Sequence, residues 1–395
     1  MNRVVIVGAS LAGLCTAEAL RANGYDGPVT LVGDEKVMPY DRPPLSKQVL
    51  SGAWQPERTA LRSNDALASL DVEFRMGERA RMLDPVTKTV ELTGGTCLPY
   101  DALVVATGAT PRSLLCAQPL EGVHRLRTLE EALALRDALD ERPRVAIVGG
   151  GFVGAEVAAE ARRRDLPVTL IEALPAPLSR GLGERMGELC ARLHVRNGVR
   201  VLCGRSVTGF DGATRVERVR LDDGSSVDAD LVVVGIGATP AVGWLAGSGI
   251  GLHDGALCDA YCRTSIPDVY AAGDVARWFH PGYGRHVRLE HWTNAREQAA
   301  VVARNMLRPQ LPVEYAPVPY VWSDQYGARI QVAGRSSDDA HVVHEEDDGA
   351  TLLALYRDGD RFVGSLAVNA ARRLLGYRRL LARGADWHEA AASSA

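Results

Sequence analysis

A strand, a glycine turn, a helix and a second strand occur in that order twice in this chain, and this repeat limits the possible folds more than any other feature. The first copy is RVVIV at 3–7, GASLAG at 8–13, a helix from about Leu11 to Asn23 and the strand PVTLV at 28–32. The second is RVAIVGGGFVGAEVAAEARRRDLPVTLIE at 144–172. Glycines in such a first turn let the backbone approach a pyrophosphate, whose charge then sits on the N-terminus of the helix. The second copy meets the whole G-x-G-x-x-G pattern with Gly149, Gly151 and Gly154, and Glu172 follows at its strand end. The first copy has Gly8 and Gly13, with the small Ser10 in the middle position and Asp34 or Glu35 just past its second strand. An acid at that place holds the hydroxyls of an adenine ribose. Two complete units in one chain point to two dinucleotides and to an α/β fold with two Rossmann-like domains.

A third element supports the first copy. RTSIPDVYAAGDV at 263–275 reads as a turn, a buried strand and an abrupt Gly273-Asp274. An aspartate leaving the carboxyl end of a buried strand lies where ligands bind in open α/β sheets. It can also cap a helix beginning at VARW. Two further strand ends, LVVATGATPR at 103–112 and LVVVGIGATP at 231–240, resemble each other and suggest crossings between domains. From about 316 the texture changes to the strand-like runs RIQVAG, AHVVHE and LLALYRDGDRFVGSLAV, with Asp358-Gly359 as a hairpin turn,. A last helix, AARRLLGYRRLLARGA, completes a separate antiparallel α+β domain.

Composition excludes several classes. The formal net charge is −4 and 24% of residues are charged, so nothing global points to nucleic acid or a membrane surface,. The apolar opening VVIVG is too short for a signal peptide or a spanning helix. The seven cysteines form no CxxC and no zinc-ligand spacing, so no metal site is expected and buried free thiols in a reducing cytoplasm account for them,. Lysine is scarce: only Lys36, Lys47 and Lys88 occur among 45 basic residues. Lys47 closes PYDRPPLSK, where Pro43 and Pro44 pre-shape the first turn of a helix. That places a cation in an opening turn, at the dipole end that disfavours it.

The glycine turns, VVATG and VYAAGD together resemble the two-dinucleotide flavoproteins of the glutathione-reductase-like fold. The resemblance implies that Gly8, Ser10, Leu11, Ala12 and Gly13, with Asp34 or Glu35, hold the ADP half of FAD. Ala106, Thr107 and Gly108 would return from the FAD domain, and Gly273 and Asp274 would meet the ribityl chain. Gly149, Gly151, Phe152, Val153 and Gly154, with Glu172 and Arg180, would hold NADH, joined by Gly235, Ile236 and Gly237. The FAD domain is then 1–112 and 240–315, the NAD domain 113–239, and the C-terminal domain 316–395. Arg127 matches a family position near the flavin pocket.

A disulfide reductase of this fold needs a redox cysteine pair beside the flavin, and no cysteine occurs between 16 and 96. Electrons must therefore leave from the flavin itself. PYDRPPLSK, EHWTNAREQ at 290–298 and WSDQYG at 322–327 resemble the NADH-dependent ferredoxin reductases of cytochrome P450 and Rieske oxygenase systems. That resemblance implies transfer from NADH through FAD to a [2Fe-2S] ferredoxin. It adds Arg42, Ala80, Glu290, His291, Trp292 and Trp322 to the FAD set, with Ala241 standing where an asparagine is common. Lys47 would face the reactive part of the flavin, neutralised by Glu156, and stabilise negative charge on the reduced ring. His291 is read as a hydrogen-bonding residue, since hydride transfer needs no proton relay. Other acceptors (rubredoxin, oxygen, a quinone) and a redox sensor like apoptosis-inducing factor are the rival readings. The expected state is a cytoplasmic monomer or homodimer. Glu160 and the Arg162–Arg164 run read as a solvated helix face. Leucines 374, 375, 380 and 381 read as the packed side of the last helix, leaving its arginines outward.

Overall fold

The computed structural model describes residues 2–114, 120–346 and 350–393, so Cys116 lies outside the described residues. The chain divides into two compact units. One comprises Met1–Asp41, Glu57–Thr110 and Ala238–Pro317; the other comprises Arg42–Pro56, Pro111–Gly237 and Val318–Ala395.

The first unit is built on a parallel sheet in the order Val269–Ala271, Ala102–Val105, Val4–Val7, Val29–Gly33, Glu73–Met76. Val4 lies beside both Val29 and Ala102, so the glycine turn leaves from the middle of the sheet. Every residue of Val4–Val7 and Ala102–Val105 is buried, as expected of strands covered on both faces,. The helices Leu11–Ala22 and Trp292–Leu307 pack on one another. After Gly273–Val275, a single 3-10 turn, the chain continues as the strand Ala276–His280, not as a helix. Ala276, Trp278 and His280 are buried and alternate with less buried neighbours, the period-two pattern of a strand, and Ala256–Cys258 pairs alongside,.

The second unit repeats the plan. Its parallel sheet runs Arg200–Cys203, Val168–Glu172, Val145–Val148, Leu231–Val234, Val123–His124, with the helix Phe152–Arg163 following the central strand. The same unit contains the C-terminal antiparallel sheet, ordered Tyr320–Gln325, Ala328–Gly334, Arg361–Val368, Thr351–Asp358, Asp339–Glu346. One sheet face packs Ile330, Leu352 and Tyr356 against Leu182 and Met186; the other packs Leu353 and Leu355 against Leu374 and Tyr377. The architecture is thus two Rossmann-like α/β folds and a C-terminal α+β portion.

Several local expectations change. Pro43–Ser46 is one 3-10 turn, and Lys47 ends it rather than lying in the opening turn of a helix. Asp358 stays in its strand opposite Arg361, so the hairpin loop is Gly359-Asp360, with Gly359 at a φ of 60°. In the helix Ala371–Ala382 only Leu374, Tyr377 and Leu380 are buried, and Leu375 is 57% exposed. Of the EARRR run only Arg163 is solvent-exposed. Glu160 is buried and pairs with Arg163 and Arg164, while Arg164 also reaches Asp140 and donates to the Leu50 carbonyl. Among the described cysteines, Cys15, Cys190, Cys258 and Cys262 are buried, Cys203 is half-buried and Cys97 is exposed.

Candidate functional site

In the first unit the glycine turn is closed by contacts that only glycine permits. Gly8 has a φ of 122°, and a Cβ there would lie 2.1 Å from the Ala106 carbonyl oxygen. A Cβ on Gly13 would lie 1.9 Å from the Gly8 oxygen. Ser10 is the N-cap residue of Leu11–Ala22, yet its side chain makes no capping hydrogen bond, and the first turn carries no acid. The N–H groups of Leu11, Ala12 and Gly13 therefore form an uncapped helix terminus suited to an anion.

Of the other predicted residues of this unit, Ala106 and Gly273 adjoin the glycine turn. A Cβ on Gly273 would lie 3.0 Å from Ala12 Cβ, so the Gly273-Asp274 turn adjoins the glycine turn. The Gly273 N–H donates to Gln298 Oε1 at 2.9 Å, which fixes the turn from the neighbouring helix. Asp34 is exposed, whereas Glu35 accepts from the Tyr40 hydroxyl at 2.6 Å. Ala80 is buried at the start of its strand. Ala106 donates its N–H to Val7, and Thr107 Oγ1 donates to the Ala241 carbonyl at 2.8 Å, so position 241 acts through its backbone. Gly108 follows at a φ of 68°. Glu290 pairs with Arg288 at 2.6 Å, and Trp292 Nε1 donates to Asp41 at 2.7 Å. His291 stands at the N-cap position of the helix Trp292–Leu307 without a capping hydrogen bond from its side chain; burial pushes its pKa down to about 4, and its Nδ1 is buried with no partner in the structure. An uncapped helix end, a glycine cradle and an orphaned imidazole nitrogen in one unit fit a bound dinucleotide.

The second unit forms the second cradle. A Cβ on Gly149 would meet the Gly235 oxygen at 2.4 Å, and one on Gly154 the Gly149 oxygen at 2.1 Å. At Gly151, the N-cap of Phe152–Arg163, the nearest atom would be 4.0 Å away, so this glycine leaves space above the helix end for a ligand. No side chain caps that helix and its first turn has no acid. Phe152 is half-buried and Val153 is 41% exposed on that first turn. Glu172 ends its strand half-buried, with Oε2 accepting from the Gly150 N–H at 2.7 Å and Oε1 from Leu174 at 2.9 Å. Its position is therefore set by the glycine turn itself. Ile236 and Gly237 follow Gly235, and a Cβ on Gly237 would lie 3.5 Å from Nη1 of the exposed Arg180.

Lys47 and Glu156 meet within the same unit. Lys47 Nζ donates to Glu156 Oε2 at 2.8 Å and to the Pro43 carbonyl at 3.3 Å. Only 5% of the Glu156 side chain and 14% of the Lys47 side chain are exposed. Arg42 donates to the Arg127 carbonyl at 2.6 Å, and the Arg127 N–H donates to Glu131, whose capping box with Thr128 starts the helix Leu129–Asp140. Trp322 is half-buried, opposite Gln331 in the C-terminal sheet, with Tyr320 at 6.1 Å and Arg329 at 5.9 Å.

Sequence reasoning missed three polar residues here. Ser46 and Ser323 both donate to Glu156, the latter at 2.6 Å to Oε1, and Gln325 donates to Ser323 at 3.0 Å. Ser46 and Ser323 are neighbours of the singled-out Lys47 and Trp322, the only signal available. Gln298 and the buried His194–Tyr326 pair, 2.7 Å apart, were also unmarked. Among the described residues no group of three or more His, Cys, Asp or Glu could hold a metal ion, and no helix is long and apolar enough to cross a membrane.

Residues 2–299 match the pyridine nucleotide-disulphide oxidoreductase family, and residues 320–395 match the reductase C-terminal family. The ferredoxin--NAD(+) reductase component of the anthranilate 1,2-dioxygenase system of Burkholderia cepacia is 38% identical, over 96% of this chain and 94% of that protein. Putidaredoxin reductase of Pseudomonas putida is 36% identical over 93% of this chain and 89% of its own length. The crystal structure of the covalent putidaredoxin reductase–putidaredoxin complex superposes with a TM-score of 0.92 at 34% identity, covering 97% of this chain and 93% of that one. With both glycine cradles built as the sequence required, the chain belongs to the pyridine nucleotide-disulphide oxidoreductases and, within them, to the ferredoxin--NAD(+) reductases.

Proposed function

We propose that this chain is the reductase component of an oxygenase system, carrying electrons from NADH through FAD to a [2Fe-2S] ferredoxin that serves a cytochrome P450 or a Rieske oxygenase. One observation carries the reading: the chain has two dinucleotide cradles and no cysteine between 16 and 96, so no protein disulfide lies between flavin and acceptor. The full-length similarity to ferredoxin--NAD(+) reductases supports the same acceptor class.

FAD, when bound, supplies the step from two-electron to one-electron transfer. The uncapped terminus of Leu11–Ala22 binds its pyrophosphate, Asp34 holds the adenosine ribose, and Asp274 takes the ribityl hydroxyls. Residues 1–112 and 240–315 form this FAD domain. Residues 113–239 bind NADH, with Glu172 on the adenine ribose hydroxyls; a 2′-phosphate would meet that carboxylate. Lys47, paired with Glu156, stabilises negative charge on the flavin,. Arg42, Arg127 and Trp322 complete the flavin surroundings, with Trp322 on the side where the ferredoxin docks. The protein acts in the cytoplasm.

The test is steady-state reduction of cytochrome c by NADH with and without added [2Fe-2S] ferredoxin. Strong ferredoxin dependence is expected. Equal turnover without ferredoxin, or turnover sustained by oxygen alone, would remove the reading.

A further inference from the structure

The Glu156 carboxylate is held by more groups than an ion pair needs. Three donors reach it from stretches far apart in the sequence. Lys47 and Ser46 donate to Oε2, and Ser323 donates to Oε1 at 2.6 Å. Ser46, Ser323 and Gln325 are 6%, 0% and 1% exposed, so water does not compete for these bonds.

The direction of the Ser323 proton is settled by its neighbour. Gln325 Nε2 donates to Ser323 Oγ at 3.0 Å, so the one hydroxyl hydrogen of Ser323 is left for Glu156,. Residues 323 and 325 of one strand share a face, which is why Gln325 can reach the Ser323 hydroxyl,. A flexible lysine stem alone fixes a carboxylate poorly. A hydroxyl on each oxygen fixes its plane, and through it the ammonium of Lys47. That ammonium donates to Glu156 and to Pro43, leaving one N–H uncommitted by these bonds.

We propose that Ser323, oriented by Gln325, and Ser46 are positioning residues for the Lys47–Glu156 pair: they lock the carboxylate so that the ammonium is presented in one place. This rests on the reading of Lys47 as the cation that acts on the flavin. Loss of the Ser323 hydroxyl leaves Oε1 unsatisfied, frees the carboxylate to rotate and lets the ammonium wander.

The experiment uses FAD-loaded protein and two readouts. In anaerobic stopped flow, Ser323→Ala is expected to lower the limiting rate of flavin reduction by NADH about tenfold, the equivalent of one hydrogen bond to a charge. Apparent NADH affinity should stay within about twofold. In redox titration the flavin midpoint should fall by about 30 mV, the two-electron equivalent of a tenfold change. Ser323→Thr, which keeps the hydroxyl, should restore both. If Ser323→Ala does not accumulate, Gln325→Leu replaces it, with a smaller loss in the same direction. In a Lys47→Met background Ser323→Ala should add nothing. An unchanged rate and potential in Ser323→Ala, with Lys47→Met slow, overturns this inference alone. Equal losses in both backgrounds overturn it too, because Ser323 would then act only on the fold. Wild-type behaviour of Lys47→Met would remove the underlying reading of Lys47 instead.

Discussion

Replacing Lys47 by Met keeps the unbranched stem as far as Cε and removes the charged ammonium. Nζ lies 2.8 Å from Glu156 Oε2, with 14% and 5% of the two side chains exposed. At an effective dielectric of about 20 the gross attraction at that separation is about 6 kcal/mol, most of which offsets the desolvation of the two ions. Removing one member of a buried pair costs about 3–5 kcal/mol when the other ion is left alone. Glu156 would not be alone, because Ser46 and Ser323 still donate to it. The expected loss is therefore at the lower end, about 3 kcal/mol, or a fall in Tm of about 4 °C for a chain of 395 residues,. The kinetic effect is separate. Without the ammonium, flavin reduction by NADH should slow by about a hundredfold, the scale of one lost electrostatic group. Bleaching of the oxidised flavin band under anaerobic stopped flow gives the rate, and absorbance at equal protein concentration gives the FAD content. Glu156→Ala should slow the same step. Wild-type reduction rates in both variants, with FAD retained, would refute the reasoning.

Three further outcomes are expected. NADH should exceed NADPH in kcat/KM by about a hundredfold, since a 2′-phosphate about 5 Å from Glu172 is repelled by roughly 3 kcal/mol, and Glu172→Gln should narrow the ratio. Arg372 and Arg379 are exposed on the helix Ala371–Ala382, whereas Arg378 lies over the Tyr320 ring and Arg383 pairs with Glu389. Arg372→Glu with Arg379→Glu should therefore raise KM for ferredoxin several-fold and leave ferricyanide reduction intact, and added salt should weaken the wild type likewise. Burial pushes the His194 pKa down to about 4, below its unfolded value, so unfolding takes up a proton as pH falls. Its contribution is complete above about pH 6.5 and is lost at about 1.4 kcal/mol per pH unit down to about 4; denaturant titrations across that range should show the slope, and His194→Asn should lower it by that amount, leaving the share of His291.

Both dinucleotide cradles were legible because they rest on local rules. VVIV and VAIV are unbroken buried strands, and Gly8, Gly13, Gly149 and Gly154 stand where a Cβ would strike a backbone oxygen. The place of Glu172 at the end of its strand was legible by spacing, although its hold on the Gly150 N–H was not. The segment at Lys47 was misjudged for a local reason. Two consecutive prolines lack N–H groups, and the turn closes on short bonds, Lys47 N–H to the Pro44 carbonyl, before any α-helix forms,. The EARRR run looked solvated because helical charge usually is; the backbone carbonyls of Leu50 and Ser51 that attract Arg164 and Arg163 come from a hundred residues earlier. Ser323 shows the same limit more sharply, since it meets Glu156 across 167 positions and nothing in WSDQYG marks its hydroxyl. Long-range polar pairing leaves no periodicity to read.

The most direct test of the central claim is the stoichiometry of a single anaerobic turnover. The FAD-loaded protein is mixed with one equivalent of NADH and an excess of oxidised [2Fe-2S] ferredoxin, and reduced cluster is counted by its absorbance. Two ferredoxins reduced per NADH, with the flavin returned to its oxidised band, is the expected result. Flavin that bleaches and stays bleached in the presence of ferredoxin would contradict the assignment.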